Sequence, residues 1–484
     1  MMTPCFPEIS TAAFGGRRRR TQDLLTQKKE ALLRDNLLDL AGITAAFIPP
    51  AMLAPAESGP HSRRRIYPLR LTFHALLRQA LAPDTSSADI VKQVQAARLQ
   101  QGLPVPSSGT GAYTQACAKI HEELLQDILN QTVQRSVHRL PERHWKGHQV
   151  RTIDGTGLSM PDTPNLQEQW PQQSGQKPGC GFPNLSLTGL FDLHQGLLLD
   201  YRIGNKHDNE RNMATELYEG LAADEVLLAD RGFCHWAALA DLHERGVHAV
   251  MRMNANKKWD RRCGKRLGEG DRVVQWKRPT QPTGGLNREA WNARPKSLSI
   301  RIVEVTLAES GFRTKRLVLA TTLLDPVRYP AKDLIALYAQ RWSVELRFRE
   351  IKTIMGMGVL RSKSPEMIRK EILLYFIAYN LMRGLIAEAA CVHQVPVPRV
   401  SFKGAIDQFR AWLPSLLGNQ MGPRVWAKRR AIYLRMLVDS PVVERPGRNE
   451  PRAKKRRPKN YQLLSKPRHE IGHLPHRGRH RKEA

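Results

Sequence analysis

The feature that most constrains the fold is a change in the spacing of apolar residues near residue 148. Before it, leucines recur at helical spacing through residues 21–145, which predicts an α-helical N-terminal domain. After it, short runs with a period of two alternate with helical segments, in the order strand, strand, strand, helix, strand, helix, strand. That order is typical of an α/β fold with a mixed sheet flanked by helices.

Composition and predicted elements indicate the boundaries of further regions along the chain. Residues 255–297 are rich in Lys, Arg, Gly and Pro, and strands are predicted again afterwards, so we expect a basic insertion at about 255–315. A long helix is predicted from about residue 330 to 355, and more helices follow. We therefore predict four regions: a helical N-terminal DNA-binding region (1–145), the α/β domain (146–390), a helical C-terminal region (391–444) and a basic disordered tail (445–484).

The charge of the chain points to its partner. Lys and Arg number 76 against 45 Asp and Glu, a net charge of +31, which favours a polyanion and above all nucleic acid. Two predicted helices, 71–81 and 89–99, are separated by a polar turn. They are either a helix-turn-helix that reads DNA or plain helix packing, and the sequence leaves both open.

Cysteine usage and hydropathy indicate the compartment. The 6 cysteines stand far apart without a paired framework, which favours a reducing cytoplasm. No signal-peptide core is visible near the N-terminus. The most apolar run, residues 372–379, stops at Asn380 and Arg383, short of the ~20 residues that span a bilayer. We expect a cytoplasmic, nucleoid-associated protein with no membrane partner.

Two acidic residues follow apolar strands. Asp154 follows residues 150–153 and precedes Gly155, and Asp230 follows residues 226–229. Open α/β sheets bind ligands beyond the carboxyl ends of their strands, so the two acids together could hold a metal ion. The alternative for each alone is a turn or helix-capping residue.

A third acid lies on the long predicted helix. At 100° per residue, four residues fall within about 60° of one another on one helix face: Tyr338, Arg341, Glu345 and Lys352. The alternative is a solvated face in which Arg341 and Glu345 form an ordinary i,i+4 ion pair. No His/Cys set with zinc spacing competes with the carboxylates as a metal site.

These motifs together resemble a known family. Asp154 in Asp-Gly-Thr, Asp230 in Asp-Arg-Gly-Phe and the Tyr-x2-Arg-x3-Glu-x6-Lys spacing ending at Lys352 resemble the DDE transposases of the insertion-sequence-four family, which are bacterial cut-and-paste enzymes. The resemblance covers about residues 145–390. It implies an RNase H-like catalytic domain with a β-rich insertion between the second Asp and the Glu.

The resemblance also implies roles for residues. Asp154, Asp230 and Glu345 would be catalytic and would hold two Mg²⁺ ions, for which Mn²⁺ can substitute, while Tyr338, Arg341 and Lys352 would contact phosphates near the transposon end. Trp342 matches a position that stacks on a flipped base, with core packing as the alternative. A second stacking Trp is expected on the preceding strand, yet residues 316–321 contain none.

The implied function is a DNA transposase. It would cut at the inverted-repeat ends of its insertion element and join the 3′-OH ends to target DNA by two-metal phosphodiester transfer. Double-stranded DNA, as transposon end and as target, would be the partner, and a synapse of two ends implies a homodimer. Two alternatives remain: an RNase H-like metal-dependent nuclease, and a catalytically silent DNA-binding protein descended from a transposase.

Overall fold

The computed structural model describes residues 40, 44–54, 66–82, 84–139, 144–208, 210–254, 262–282, 287–306, 316–416, 423–443 and 464–471. The leucines at residues 24–38 that predict a first helix lie outside these described residues. So does the basic tail, apart from residues 464–471.

Helices precede the sheet, and the two predicted at 71–81 and 89–99 are confirmed. The four longest are α1 (Leu69–Leu81), α2 (Ser87–Gln100), α3 (Gly111–Lys119) and α4 (Glu122–Arg139). Ser86 and Asp89 form a capping box that fixes the start of α2, since each side chain accepts a hydrogen bond from the other residue's backbone N–H. Helices α1 and α4 share the largest apolar core with the rest of the described chain, while the buried residues of α2 and α3 form a smaller cluster with part of α1.

One mixed sheet forms the centre of the described chain, in the order β3-β2-β1-β4-β5-β9-β8-β7-β6. Strands β1, β4 and β5 are parallel and all other neighbours are antiparallel. The strands are β1 (Val150–Ser159), β2 (Asn184–Asp192), β3 (Leu198–Gly204), β4 (Val226–Ala229), β5 (His248–Arg252), β6 (Lys265–Gly268), β7 (Asp271–Lys277), β8 (Ser297–Thr306) and β9 (Arg316–Thr321).

Four shorter helices connect these strands: α5 (Pro164–Gln169), α6 (Glu210–Leu217), α7 (Trp236–Glu244) and α8 (Arg288–Ala293). Helix α6 packs on β2 and β3, and α7 packs on β5. The mixed sheet flanked by helices confirms the predicted α/β class.

The predicted insertion extends this sheet. Strand β9 pairs with β5 on one side and with β8 on the other, so β6, β7 and β8 continue the same sheet outward. Trp291 of α8 is 1% exposed and packs edge-on against Trp236 of α7. Arg301 of β8 is fully buried and makes two hydrogen bonds, of 2.8 and 2.6 Å, to the carboxylate of Asp271 on β7. The indole contact therefore anchors the insertion to α7, and the Arg301–Asp271 ion pair joins two strands within the insertion.

The long helix predicted after residue 330 is interrupted. Helix α9 (Ala331–Ala339) is followed by a 3₁₀ turn at residues 340–342, helix α10 (Ser343–Arg349) and a π-helical turn at residues 350–354. The prediction of one continuous α-helix to about residue 355 was wrong. The π turn has more residues per turn than an α-helix, as in the hydrogen bond from Met355 N to Glu350 O. Residues beyond it therefore do not keep a 100° spacing.

Helix α11 (Pro365–Val392) forms the centre of the largest apolar core. Its 28 residues are long and apolar enough to cross a membrane, which the shorter apolar run in the sequence did not predict. However, 94% of the apolar window is buried inside the protein. Asn380 and Arg383 fix the helix to the β2–β3 hairpin by bonding the backbone of Leu198 and Gln195. Helices α12 (Phe402–Leu416) and α13 (Pro423–Val438) pack beside it.

Candidate active site

Asp154 and Asp230 lie side by side beyond the parallel part of the sheet. The parallel ladder of β1 and β4 pairs Thr152 with Leu228, and each Asp stands two residues further along its own strand direction. Asp154 was predicted to follow its strand but lies inside β1, because β1 continues as the antiparallel partner of β2. Asp230 directly follows β4. The sheet thus brings the two acids to one edge.

Asp154 lies in a partly buried, acidic environment. Its side chain is 23% exposed, and its Oδ1 accepts a hydrogen bond of 2.9 Å from Gly155 N. Burial raises the pKa of Asp154 to about 6, and the carboxylates of Glu210 and Glu345 add to the rise, while the Gly155 N–H and Arg341 oppose it. A carboxylate in this position is stabilised by any cation that binds beside it.

Glu345 approaches the two acids from the helical layer. It lies on α10, which packs against β1. Arg341 connects it to Asp154: Nη2 lies 3.2 Å from Glu345 Oε1, and Nη1 lies 3.9 Å from Asp154 Oδ2. The guanidinium is buried, and its Nε has no hydrogen-bond partner among the described residues. Arg341 therefore stands as the nearest positive charge between two of the acids.

Tyr338 contacts Asp230, the second acid of this site. Its ring is 7% exposed, and its O–H donates a hydrogen bond of 3.4 Å to Asp230 Oδ1. Burial raises the pKa of this phenol, and the neighbouring charge of Asp230 adds to the rise while Arg341 opposes it. The phenol therefore stays protonated and remains a donor to Asp230. The guanidinium of Arg341 lies 5.8 Å from the centre of the Tyr338 ring.

Lys352 contacts β1 two residues beyond Asp154. Its Nζ donates to Thr156 Oγ1 at 2.9 Å and to Gly157 O at 2.7 Å. The predicted common helix face assumed regular α-helical geometry, whereas Lys352 lies in the π turn at residues 350–354. Burial lowers the pKa of this ammonium group. The structure thus joins Lys352 to the strand that carries Asp154.

Trp342 is exposed beside the site. Its indole is 56% exposed, so the core-packing interpretation was wrong. Leu346, one helical turn later, is 42% exposed. Trp342 thus offers an aromatic surface to solvent close to Glu345.

A fourth acid, Glu210, was missed by the sequence analysis. It is the first residue of α6, and a methyl group at residue 155 would overlap its carboxylate. Burial raises the pKa of Glu210, and Asp230 adds to the rise while Arg211 opposes it. Its only sequence signal is an acid in the first turn of a helix, which is common and nonspecific. Asp208, two residues before Glu210, accepts a hydrogen bond of 2.7 Å from Asn205 N.

A second cluster of polar side chains lies at the opposite end of the parallel strands. His148, Asp224 and His248 place three potential ligand atoms within 4.8 Å of one another, although no zinc spacing in the sequence predicted this. Both ring nitrogens of His148 are already engaged, by Asp224 O and the Tyr329 hydroxyl, each at 2.7 Å. The cluster is therefore satisfied without a metal.

This chain is similar in sequence to known transposases. A sequence model described as "Transposase DDE domain" matches residues 145–381. The transposase InsG of insertion sequence element IS4 from Escherichia coli K12 is 28% identical over 85% of this chain and 90% of its own length. The putative transposase InsL of element IS186A, from the same strain, is 25% identical over 50% of this chain and 66% of its own length. A solved piggyBac transposase synaptic complex with hairpin DNA aligns over 86% of both chains, with 11% identity and a TM-score of 0.40.

Proposed function

This chain belongs to the DDE transposases of the IS4 family, and we propose that Asp154, Asp230 and Glu345 are the carboxylates with which it cuts and joins DNA. The protein is a DNA transposase, an enzyme of DNA strand cleavage and strand transfer. The observation that carries the residue assignment is the convergence of these acids at one edge of the sheet, with Arg341 between two of them.

Divalent metal use follows from the family. In our proposal the three acids hold two Mg²⁺ ions, for which Mn²⁺ substitutes. Carboxylate oxygens are the donors that hard cations prefer. Burial, together with the charges of Glu210 and Glu345, raises the pKa of Asp154 to about 6 despite Arg341, so a cation bound beside this carboxylate would stabilise its charged form. When bound, the ions supply Lewis acidity at the scissile phosphate.

The surrounding residues orient the acids and bind DNA. Tyr338 fixes the Asp230 carboxylate through its hydrogen bond, and Arg341 neutralises Asp154 and Glu345 until cations bind. Arg341, together with Tyr338 and Lys352, then contacts phosphates near the transposon end through charge-assisted hydrogen bonds. Exposed Trp342 provides a stacking surface for a displaced base.

The substrate in this proposal is the pair of inverted-repeat ends of the chain's own element, whose 3′-OH ends are joined to target DNA. The net charge of +31 supports binding to double-stranded DNA. We assign DNA reading to region 1–145, catalysis to 146–390, and supporting roles to 391–444 and 445–484. A homodimer holds the two ends in the synapse, and the enzyme works in the cytoplasm on the nucleoid.

Substitution of the acids tests the proposal. Asp154→Asn, Asp230→Asn and Glu345→Gln should each abolish Mg²⁺-dependent nicking of a plasmid that carries the DNA flanking the coding region, while DNA retention stays normal. Loss of one anionic ligand should cost several kcal/mol of transition-state stabilisation. The exposed acids Asp84 and Glu219 provide matched controls, as Asp84→Asn and Glu219→Gln. Near-normal nicking by any one of the three variants removes that residue from the site.

Two further results separate the alternatives. Cleavage without any joined product would indicate a nuclease. Tight DNA binding without metal-dependent nicking by the wild-type protein would indicate a silent DNA-binding descendant.

A further inference from the structure

Glu210 is held in place by its surroundings. Buried Met213, Ala214 and Leu217 anchor α6, which packs against β2 and β3. The next residue, Arg211, donates a hydrogen bond of 3.0 Å from Nε to Gly232 O, two residues after Asp230. The first turn of α6 is therefore tied to the loop that carries Asp230.

Gly155 accommodates the Glu210 carboxylate. Gly155 lies on β1 directly after Asp154, and its missing side chain leaves the space into which the Glu210 carboxylate extends. Any larger residue at position 155 would have to displace that carboxylate. Glu210 thus faces β1 beside Asp154. It also lies close enough to Asp230 for the charge of that carboxylate to raise the pKa of Glu210.

A purely structural role does not account for this arrangement. An acid in the first helical turn is stabilised by the helix dipole, but that stabilisation does not require the side chain to reach across to β1. Among the described residues no ion pair joins Glu210 to a cation. Arg211 is the cation near enough to oppose the rise in its pKa, and Asp154 and Asp230 are its acidic neighbours. An acid directed toward other acids is stabilised when a cation binds among them.

We propose that Glu210 is a fourth carboxylate ligand of the divalent-metal site, placed between Asp154 and Asp230 by the space above Gly155. This inference rests on the proposed function, because it presupposes that Asp154 and Asp230 hold metal. Glu210 would add an oxygen donor from α6. The other three donors would come from β1, from the end of β4 and from α10. Four elements would then contribute to one site.

Mn²⁺ binding to the full-length protein tests the assignment without measuring catalysis. Free Mn²⁺ is followed by electron paramagnetic resonance during titration of wild type, Glu210→Gln, Glu210→Asp, Asp154→Asn and the control Glu219→Gln. We expect both Glu210 variants to weaken Mn²⁺ binding about tenfold or more, as is typical when support of a metal site is lost. Glu219→Gln should bind like wild type. Circular dichroism verifies that each variant is folded.

Glu210→Asp separates ligation from charge. It keeps the negative charge but withdraws the carboxylate by one methylene, so a ligand role predicts weaker binding. Wild-type affinity in either Glu210→Gln or Glu210→Asp would overturn the proposal. If Asp154→Asn binds weakly while the Glu210 variants do not, only the Glu210 assignment fails. If Asp154→Asn also retains wild-type affinity, the proposed metal site itself is wrong, and the Glu210 assignment is overturned with it.

Discussion

Replacing Asp154 with Asn should stabilise the metal-free protein while abolishing its chemistry. The folded-state pKa of Asp154 is about 6, against an ordinary value of 3.8. At 1.36 kcal/mol per pKa unit, the ionised carboxylate destabilises the fold by about 3 kcal/mol at neutral pH. Asn removes this charge with little change in volume and can still accept the hydrogen bond from Gly155 N.

The pH dependence of this gain has a definite sign. A raised folded-state pKa means that the folded protein holds the proton on Asp154 more tightly than the unfolded chain does. The destabilisation is therefore absent at low pH, where Asp154 is protonated in both states, and it grows as the pH rises through 6. The advantage of Asp154→Asn should therefore be full at pH 7.5 and about half as large at pH 5. At about 2 °C per kcal/mol for a domain of this size, we expect a rise in Tm of about 5 °C at pH 7.5.

Thermal unfolding in EDTA at both pH values measures the effect, with Asp84→Asn as a control for loss of one exposed negative charge. Adding Mn²⁺ should then stabilise wild type more than Asp154→Asn, because only wild type has the full set of ligands. A variant that melts below wild type at pH 7.5 in EDTA would refute the reasoning. A gain that is equal at pH 5 and pH 7.5 would refute it as well.

Two other predictions concern the neighbouring helix and the inserted strands. Trp342→Ala should change Tm little, because Trp342 is 56% exposed. The variant should make the first nick but stall before double-strand cleavage, since base stacking contributes about 1–3 kcal/mol. Rescue by an abasic site at the displaced base would support stacking, and equal loss of both cleavage steps would contradict it. Asp271→Asn should cost about 3–5 kcal/mol in urea unfolding because it leaves Arg301 buried and unpaired. The half-exposed Arg316–Glu304 pair provides the control: Glu304→Gln should cost less than about 1 kcal/mol, and equal costs would contradict the argument.

The sequence could predict the sheet because strand period and helix period differ plainly. It also placed Asp154 and Asp230 at one edge. Asp154 lies inside β1 and not after it, but the parallel pairing of β1 with β4 still brings it level with Asp230. Glu345 is a different case: 115 residues separate it from Asp230 along the chain, and only the resemblance linked it to the other acids. The roles of these residues in catalysis stay predictions.

Glu210 and Lys352 show why the rest could not be predicted. The position of Glu210 depends on an empty space above Gly155, which is a property of packing between two distant segments. Lys352 depends on the hydrogen-bond pattern of one helical turn, and residue spacing alone does not reveal whether that turn is α or π. Both errors arise where local periodicity gives way to tertiary contacts.

The π turn at residues 350–354 also limits which changes in length this segment can tolerate. Deleting one residue there would let the helix return to regular α-helical hydrogen bonding, so the backbone would lose little. The residues beyond the deletion would nevertheless advance by about 100° around the helix axis. Lys352 would then leave Thr156 and Gly157, and β1 would lose these two hydrogen bonds to the helical layer. We therefore expect relatives with this site to vary freely in residue type along the turn but to carry no single-residue gap within it.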